Sequence, residues 1–377
     1  MRKMRMKITA GLGSVEEYER FVRAGADEFF SGYVPYEWAK KYGTVMPLNR
    51  REVLAYNVQI GSFSEMEILS AMVKEYGRPV HLTFNSLYYI PEQYPEIAEI
   101  IKRCMEIGFH SYIIADPALI LYLRQNNIDC EIHLSGETAE VNRGMVDFFQ
   151  KLKLKRVIFH RKNTIKDMQS IIAYQRITET EQSGHVQNVM PEQSRVEFEA
   201  FILNELCQFT GAFCNSLHCD EMGYLCRVPY RLGAMSTRKV QESTKFNKWK
   251  QEKNQETIDF TGEELPESIS QDTNGYLCGE TGCGLCALYQ LQEAGITHLK
   301  LVGRGNYTDF MEKDIRNLRR ALSILEVSDS NVIYWQNLKE ELFPYGCSEN
   351  CAYKENFKYR EEITELRQKS KKLVLHS

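Results

Sequence analysis

The sequence predicts an α/β protein with a TIM-like (β/α) barrel, a cysteine-rich insertion and a C-terminal tail. From residue 7 to about residue 201, short β-branched or apolar runs alternate with amphipathic stretches of helical period, a pattern typical of repeated βα units around a parallel sheet. Eight runs in the chain have strand character, which is the number of strands that closes such a barrel. The length of 377 residues is sufficient for one domain of barrel size or for two ordinary domains.

The predicted strands are rich in β-branched and aromatic residues, and they cover Lys7–Ala10, Glu28–Gly32, Val80–Asn85, Ser111–Asp116, Glu131–Ser135, Arg156–His160, Val196–Phe201 and Leu299–Gly303. Helices are predicted between them over Val15–Ala24, Ser64–Tyr76, Glu92–Ile107, Ala118–Gln125, Arg143–Leu152 and Thr164–Tyr174, with a last helix over Phe310–Leu325. Glycine directly follows three of these helices, at Gly25, Gly77 and Gly108. A glycine in this position favours a left-handed C-cap, because it has no Cβ.

Two polar segments interrupt this alternation, at about residues 178–195 and 236–274. Polar segments of weak periodicity are typical of surface excursions or linkers. We therefore expect a barrel domain over residues 1–330 that contains both excursions, and a C-terminal cysteine-containing tail over residues 331–377.

Composition and charge narrow the class of protein. The chain is 43% hydrophobic and 26% charged, with a formal net charge of −4, which is typical of a soluble globular protein and gives no general attraction to a polyanion. An RNA partner is neither indicated nor excluded by this charge. The start of the chain has no apolar run of signal-peptide length, and no run approaches the ~18 apolar residues of a membrane span. We expect a cytoplasmic protein without a membrane partner.

Nine of the eleven cysteines follow residue 200, in three clusters: Cys207-x6-Cys214-x4-Cys219-x6-Cys226, Cys278-x4-Cys283-x2-Cys286 and Cys347-x3-Cys351. Thiols concentrated in irregular segments indicate metal binding, whereas the lone Cys104 and Cys130 are predicted to be core residues. The wide spacing of the first cluster favours an iron–sulfur cluster over a zinc knuckle. The second cluster either completes that site or holds a separate metal. The second alternative is open because Cys283-x2-Cys286 together with Cys347-x3-Cys351 would also suit zinc. The sequence leaves open whether the chain holds one metal centre or two.

Polar residues follow most of the predicted strands, and the carboxyl ends of barrel strands meet at one face, where active sites form. The substrate-binding candidates at this face are Asn85, Asp116, Ser135, Arg161 and Arg304. The catalytic candidates are His133, Glu137 and Glu199. His133 faces opposite to its strand neighbours and is either a core histidine or a ligand or acid/base group. Because a guanidinium binds carboxylate oxygens in pairs, the two arginines indicate an anionic small molecule.

Six segments of the chain are similar in sequence, and in the same order, to segments of a known protein family. ITAGLGSVEEYERFVRAGADEFFSGY opens the series, HLTFNSLYY, YIIADPALI, EIHLSGE and RVIFHR continue it, and ITHLKLVGRG ends it. They are similar to the first βα unit, the third to sixth strands and the late L-K-I-E-G-R of the collagenase-like peptidases, peptidase family U32. The resemblance covers about Ile8 to Gly305.

The most specific part of the resemblance is the family signature, roughly E-x-F-x2-G-[SA]-[LIVM]-C-x4-G-x-C. The residues of this chain that match it are Glu199, Phe201, Leu206, Cys207 and Cys214. The chain departs from the family pattern at Asn204, Glu205, Gly211 and Val302. These departures indicate a divergent, cysteine-rich branch, so the exact substrate does not carry over.

The resemblance implies a TIM-like barrel and, as in several family members, a 4Fe-4S cluster. By position its ligands would be Cys207, Cys214, Cys226 and Cys283, with Cys286 competing for the fourth place. It also implies oxygen-independent hydroxylation of an RNA nucleotide or a small aromatic substrate, with prephenate as a hydroxyl donor. Two alternatives stay open: a collagenase-like peptidase, for which the sequence has no recognisable triad or zincin motif, and a non-catalytic metal-bound scaffold with a related family member as heteromeric partner.

Overall fold

Eight parallel strands form a closed barrel in the computed structural model, which describes residues 5–43, 46–50, 58–182, 195–204 and 275–353. Each strand pairs with the next along the chain, and the last pairs with the first through the register Ile8 with Leu299. The strands are β1 (Lys7–Leu12), β2 (Glu28–Gly32), β3 (Val80–Phe84), β4 (Ser111–Ile114), β5 (Glu131–Leu134), β6 (Leu154–Ile158), β7 (Glu197–Leu203) and β8 (His298–Leu301). The predicted TIM-like barrel is confirmed.

Helices surround the barrel. They are α1 (Glu17–Ala24), α2 (Tyr36–Tyr42), α3 (Phe63–Tyr76), α4 (Gln93–Glu106), α5 (Pro117–Gln125), α6 (Arg143–Gln150), α7 (Ile165–Gln182), α8 (Leu288–Ala294), α9 (Thr308–Glu326) and α10 (Asn331–Leu342), with a 3-10 turn at Leu285–Ala287. Seven of them correspond to the predicted helices. Glycines 25, 77 and 108 all have positive φ, as expected for helix ends, because the left-handed region costs glycine least.

Among the helices that the structure describes, three were not predicted: α2, α8 and α10. The helix α10 begins at a serine cap, where the Ser330 hydroxyl accepts a hydrogen bond from the backbone of Ile333 at 3.3 Å. Its apolar residues at positions 332–335 are contiguous in the sequence, so they give no helical period. The side chain of Tyr334 is nevertheless completely buried, and its hydroxyl donates to the Leu285 carbonyl at 2.7 Å. Tertiary packing and capping therefore define this helix.

Several boundaries differ from those predicted. The strand β6 begins at Leu154 and ends at Ile158, so His160 lies in the loop after the strand. The strand β7 continues to Leu203, two residues beyond the predicted end. Of the two predicted polar excursions, residues 183–194 of the first and all of the second lie outside the described residues.

Inside the barrel, a network of charged side chains is centred on Arg156, which is 2% exposed. Its guanidinium donates to Glu28 and to Glu199 at 2.8 Å each and to Glu197 at 2.7 Å. The ring nitrogen Nε2 of His298 lies 2.9 Å from the same guanidinium. One arginine on β6 thereby connects β2, β7 and β8. Buried charges persist only when they are paired in this way.

The C-terminal segment folds back against the barrel. The Tyr353 hydroxyl donates to the Phe201 carbonyl on β7 at 2.6 Å, and the backbone nitrogen of Cys283 donates to the Asn350 carbonyl at 2.8 Å. Residues 347–353 therefore lie beside the carboxyl end of β7. No helix in the described ranges is both long enough and apolar enough to cross a membrane.

Candidate functional site

A cavity opens at the carboxyl ends of the barrel strands. We call it the barrel mouth; it contains about 560 Å³ of space outside the protein atoms, open solvent included, and is lined by Phe30, Arg50, Thr83, Asn85, Ile113, Ser135, Gly136, Glu137, Ile158, Arg161, Phe201, Lys300, Val302, Gly303 and Arg304. Four of the five charged residues in this lining are cations. The mouth therefore attracts anions, and its apolar walls lower the screening by water.

Arg304 follows β8 and extends across the mouth. Its side chain is largely buried, with the residue 4% exposed, and its Nη1 donates to the Thr83 hydroxyl at 3.2 Å. A Cβ at Gly32 would overlap this guanidinium, and one at Gly11 would lie 3.2 Å from the Arg304 Cγ. Glycine at the ends of β1 and β2 thus leaves the space that the arginine occupies.

A second group of charges lies on the other side of the mouth. Arg161 Nη1 donates to Glu137 Oε1 at 3.2 Å, and Arg50 Nε lies 3.6 Å from Glu137 Oε2. The Arg161 guanidinium also stacks 3.9 Å from the centre of the Phe201 ring, a cation–π contact that fixes its plane. Glu137 therefore occupies the position where a carboxylate ligand could bind both arginines.

Lys300 forms the floor of the mouth. Its Nζ donates to Glu199 Oε1 at 2.9 Å and lies 3.7 Å from the centre of the Phe30 ring. Burial lowers the pKa of Lys300, against the opposing effect of Glu199. Burial also acts to raise the pKa of Glu199, but Lys300 and Arg156 outweigh it and lower that pKa to about 2. Glu199 is consequently ionised at neutral pH, where it pairs with Lys300 and Arg156 beneath the mouth.

His133 lies below this floor, inside the barrel. It is 1% exposed, and its ring centre is 4.5 Å from that of His81. Burial and the nearby charge of Arg156 hold the pKa of His133 well below its usual value, so the ring is neutral at pH 7. Its Nδ1 is buried without a hydrogen-bond partner.

The structure brings together most of the predicted mouth residues. Asn85, Ser135, Glu137, Arg161 and Arg304 all line the cavity, whereas Glu199 and His133 lie beneath it. Asp116 does not line it.

The carboxylate of Asp116 instead caps α5, accepting a hydrogen bond from the Ala118 nitrogen at 2.9 Å. It also accepts one from the Tyr94 hydroxyl at 2.9 Å. Strand-end position alone does not distinguish a helix cap from a ligand-binding residue.

Sequence reasoning missed Arg50 and Lys300. Lys300 alternates with His298 on β8 and so faces inward with it, a signal present in the run His298-Leu-Lys300-Leu. Arg50 belongs to no strand, so no periodicity indicated it.

A second cavity lies beside the mouth. We call it the thiol cavity; it contains about 580 Å³ of space outside the protein atoms, open solvent included, and is lined by Cys283, Gly284, Cys286, Ala287, Trp335, Lys339, Phe343, Cys347, Ser348, Glu349, Asn350, Cys351 and Tyr353. Two of the predicted metal ligands, Cys283 and Cys286, are in this lining. Cys207, Cys214 and Cys226 lie outside the described residues. Cys104 and Cys130 are buried in the hydrophobic core.

Comparison with known proteins shows which family the sequence matches. Residues 13–362 match the sequence model of peptidase family U32. The tRNA hydroxylation protein P of Escherichia coli (strain K12) is 28% identical over 114 residues, which cover 30% of this chain and 21% of that protein. The protein of the same name from Haemophilus influenzae is 28% identical over 102 residues, which cover 27% and 18%. The match thus spans about a fifth of the length of these curated relatives.

Similar solved structures include a U32 peptidase, with 13% identity, a TM-score of 0.36 and coverage of 54% of this chain and 71% of that chain. Dihydrodipicolinate synthase from Bacillus clausii gives 9% identity and a TM-score of 0.39, with coverage of 89% and 78%.

Proposed function

The chain belongs to peptidase family U32, and we propose that it supports the oxygen-independent hydroxylation of a nucleotide in tRNA. In this proposal an anionic hydroxyl donor binds at the barrel mouth and an iron–sulfur cluster is held close by. The observation that carries the proposal is the cationic mouth, where Arg50, Arg161 and Arg304 converge at the carboxyl ends of the strands.

The two curated relatives support the choice of substrate, because both are named tRNA hydroxylation protein P. Each aligns with this chain over about a fifth of its own length. We therefore propose tRNA as the substrate. We also propose a related family member as a heteromeric partner.

A small dicarboxylate such as prephenate suits the mouth. One carboxylate would bind the Arg304 guanidinium, and the other would compete with Glu137 for Arg161 and Arg50. Asn85 and Ser135 offer an amide and a hydroxyl for the donor's remaining oxygens. Phe30 and Phe201 line the same cavity and can stack on a ring of the donor. The chain's residues thus bind and orient the donor and exclude water around it.

The cluster would be held by Cys207, Cys214 and Cys226, with Cys283 or Cys286 as the fourth ligand. Asn204 donates its backbone N–H to the Gly282 carbonyl at 2.9 Å, and Cys207 follows it by three residues, a span of at most about 11 Å. Asn204, the last described residue before Cys207, therefore lies beside the loop that carries Cys283. Thiolates are the donor set that iron–sulfur clusters require, and a bound cluster would supply electron transfer.

A peptidase reaction is less well supported. Ser111, His81 and Glu28 do lie in a row, in which one ring nitrogen of His81 is within hydrogen-bond distance of the Ser111 hydroxyl and the other of the Glu28 carboxylate. It lies at the amino-terminal ends of β2, β3 and β4, opposite the mouth, and all three residues are buried. Glu28 is shared with Arg156, so this line belongs to the structural network inside the barrel.

The proposal predicts a change in tRNA composition. A strain without this chain should lose one hydroxylated tRNA nucleoside, measured by mass spectrometry of digested tRNA from anaerobic cultures. Wild-type protein should restore the nucleoside, and so should Arg320→Ala, which removes an arginine exposed on α9. Arg304→Ala should restore at most about 1% of it, because a bidentate contact to a charged ligand contributes on the order of 3 kcal/mol. An unchanged nucleoside profile in the strain would refute the proposal.

A further inference from the structure

Lys300 is a buried amine in the barrel mouth to which the proposed function assigns no role. The residue is 6% exposed, and it lines the cavity together with Arg304. Lysine is seldom buried, because its ammonium group loses hydration and its long stem loses rotamer freedom. A buried lysine inside a binding cavity is therefore a candidate for a chemical role.

Lys300 contacts a small apolar layer of the mouth. Phe30, Ile113, Ile158 and Phe201 pack together as this layer, and all four line the cavity. The Lys300 Nζ lies 3.7 Å from the centre of the Phe30 ring. Apolar walls lower the local dielectric constant and so disfavour the charged form of an amine. The layer thus favours the neutral amine, which is the form that attacks carbonyl groups.

Lys300 shares its counterion with a second cation. Its Nζ lies 2.9 Å from Glu199 Oε1, and Arg156 Nη1 donates to Glu199 Oε2 at 2.8 Å. Loss of a proton from Lys300 therefore leaves Glu199 paired with Arg156. Burial lowers the pKa of Lys300, and the charges of Arg156 and Arg304 lower it further, so that together they outweigh Glu199. The amine is consequently easier to deprotonate than that of an exposed lysine.

Arg304 provides a carboxylate-binding group in the same part of the mouth. Phe30 Cζ and Arg304 Cγ lie 3.0 Å and 3.2 Å from one point, the position that a Cβ at Gly11 would take. The ring that Lys300 contacts thus lies beside the Arg304 side chain. In a 2-oxo acid the carbonyl carbon is bonded directly to the carboxylate carbon. A 2-oxo acid bound to Arg304 would therefore present its carbonyl carbon in the part of the mouth that holds Lys300.

We propose that Lys300 forms an imine with the carbonyl carbon of a 2-oxo carboxylate bound at the barrel mouth. The lone pair of the neutral amine attacks the carbonyl carbon and a C–N bond forms. The carbonyl oxygen then leaves as water with the two amine protons, so the step needs neither an oxidant nor a reductant. Addition of water to the imine restores the unmodified lysine.

The imine rests on the proposed function for its ligand, because prephenate carries a 2-oxo carboxylate on its side chain. Arg161 and Arg304 can bind carboxylates, but a guanidinium stays protonated and forms no bond to carbon. Lys300 would add a covalent link that holds the donor in one orientation. Once protonated, the imine would also withdraw electrons from the carbon atoms bonded to it.

Reductive trapping of the wild-type protein tests the imine. Full-length protein is incubated with pyruvate, phenylpyruvate or prephenate, reduced with sodium borohydride and digested for peptide mass spectrometry. The peptide with Lys300 should carry the reduced adduct several-fold more often than the peptide with Lys102, whose side chain is 50% exposed. Lactate, which lacks the carbonyl group, should give no adduct. Absence of the adduct from Lys300 with all three acids, or equal labelling of Lys300 and Lys102, would overturn the inference.

A charge-conserving variant provides a second test. Lys300→Arg keeps a cation beside Glu199 but cannot form an imine, so it should lose the adduct while circular dichroism shows a retained fold. Lys102→Arg should form the adduct as wild type does. An adduct at the wild-type level in Lys300→Arg would place the imine on another residue and contradict the inference.

The imine and the proposed function can fail separately. Wild-type protein that binds prephenate in a calorimetric titration but forms no adduct would refute the imine and leave the proposed function standing. An adduct on Lys300, with an unchanged tRNA nucleoside profile in the strain without this chain, would refute the hydroxylation of tRNA and support the imine.

Discussion

Glu137 and Glu199 illustrate how environment separates two carboxylates that both belong to the predicted site. Glu137 lies in the mouth between Arg161 and Arg50, where its side chain is 12% exposed and a ligand can displace it. Glu199 is completely buried and is bonded to Lys300 and Arg156. A carboxylate held by two cations is a poor base, because the cations stabilise its ionised form. Glu199 is therefore a structural carboxylate, whereas Glu137, although also paired with two arginines, lies where a ligand in the mouth can reach it.

Glu199 should contribute to acid sensitivity. Its pKa is lowered from 4.5 to about 2 in the folded protein, so its stabilisation is present above pH 4.5 and is lost as the pH falls toward 2. Glu199→Gln should lower the free energy of unfolding at neutral pH but flatten its decline over this acid range. Urea unfolding at several pH values measures both, with the exposed Glu326→Gln as control. Parallel pH profiles for wild type and Glu199→Gln would contradict the assigned role.

At the level of elements, β7 connects the two cavities. Its Glu199 supports the floor of the mouth, its Phe201 ring lines the mouth, and its last residue, Leu203, bridges to Cys283 beside the thiol cavity. The strand begins in the charged network, where Glu197 binds Arg156. One strand thus contributes residues to the charged network, to the mouth and to the edge of the thiol cavity, in that order along the chain.

The connection of four strands through Arg156 predicts a large loss of stability in Arg156→Ala. The variant leaves Glu28 buried without its main cation and Glu199 with Lys300 as its remaining one, which costs about 3–5 kcal/mol of unfolding free energy. Chemical denaturation followed by circular dichroism measures this loss. Arg320→Ala removes an exposed ion pair with Glu341 and should cost at most about 1 kcal/mol. A similar small loss for both variants would show that the network contributes little.

For the whole molecule, sequence patterns predicted the eight strands and the long helices, because the strands are short apolar runs buried on both faces and the helices bury one regular face. It could not predict α10, whose apolar residues are contiguous, or Arg50, which belongs to no strand. Asn85, Ser135, Arg161 and Arg304 could be placed at the mouth because barrel strand ends converge. Asp116 met the same criterion but caps a helix. The pairing of Cys283 with Cys351 depends on how the C-terminal segment folds back, which local sequence does not encode.

The proposed function depends on binding of a small carboxylate at the mouth, which isothermal titration of prephenate into the purified protein measures. Wild type and Arg320→Ala should bind with equal affinity, whereas Arg304→Ala should bind about 10- to 100-fold more weakly, the effect of losing one charged hydrogen-bonding partner. Circular dichroism of each variant confirms that the fold is retained. Equal affinity of Arg304→Ala and wild type for prephenate would show that Arg304 does not bind the donor's carboxylate.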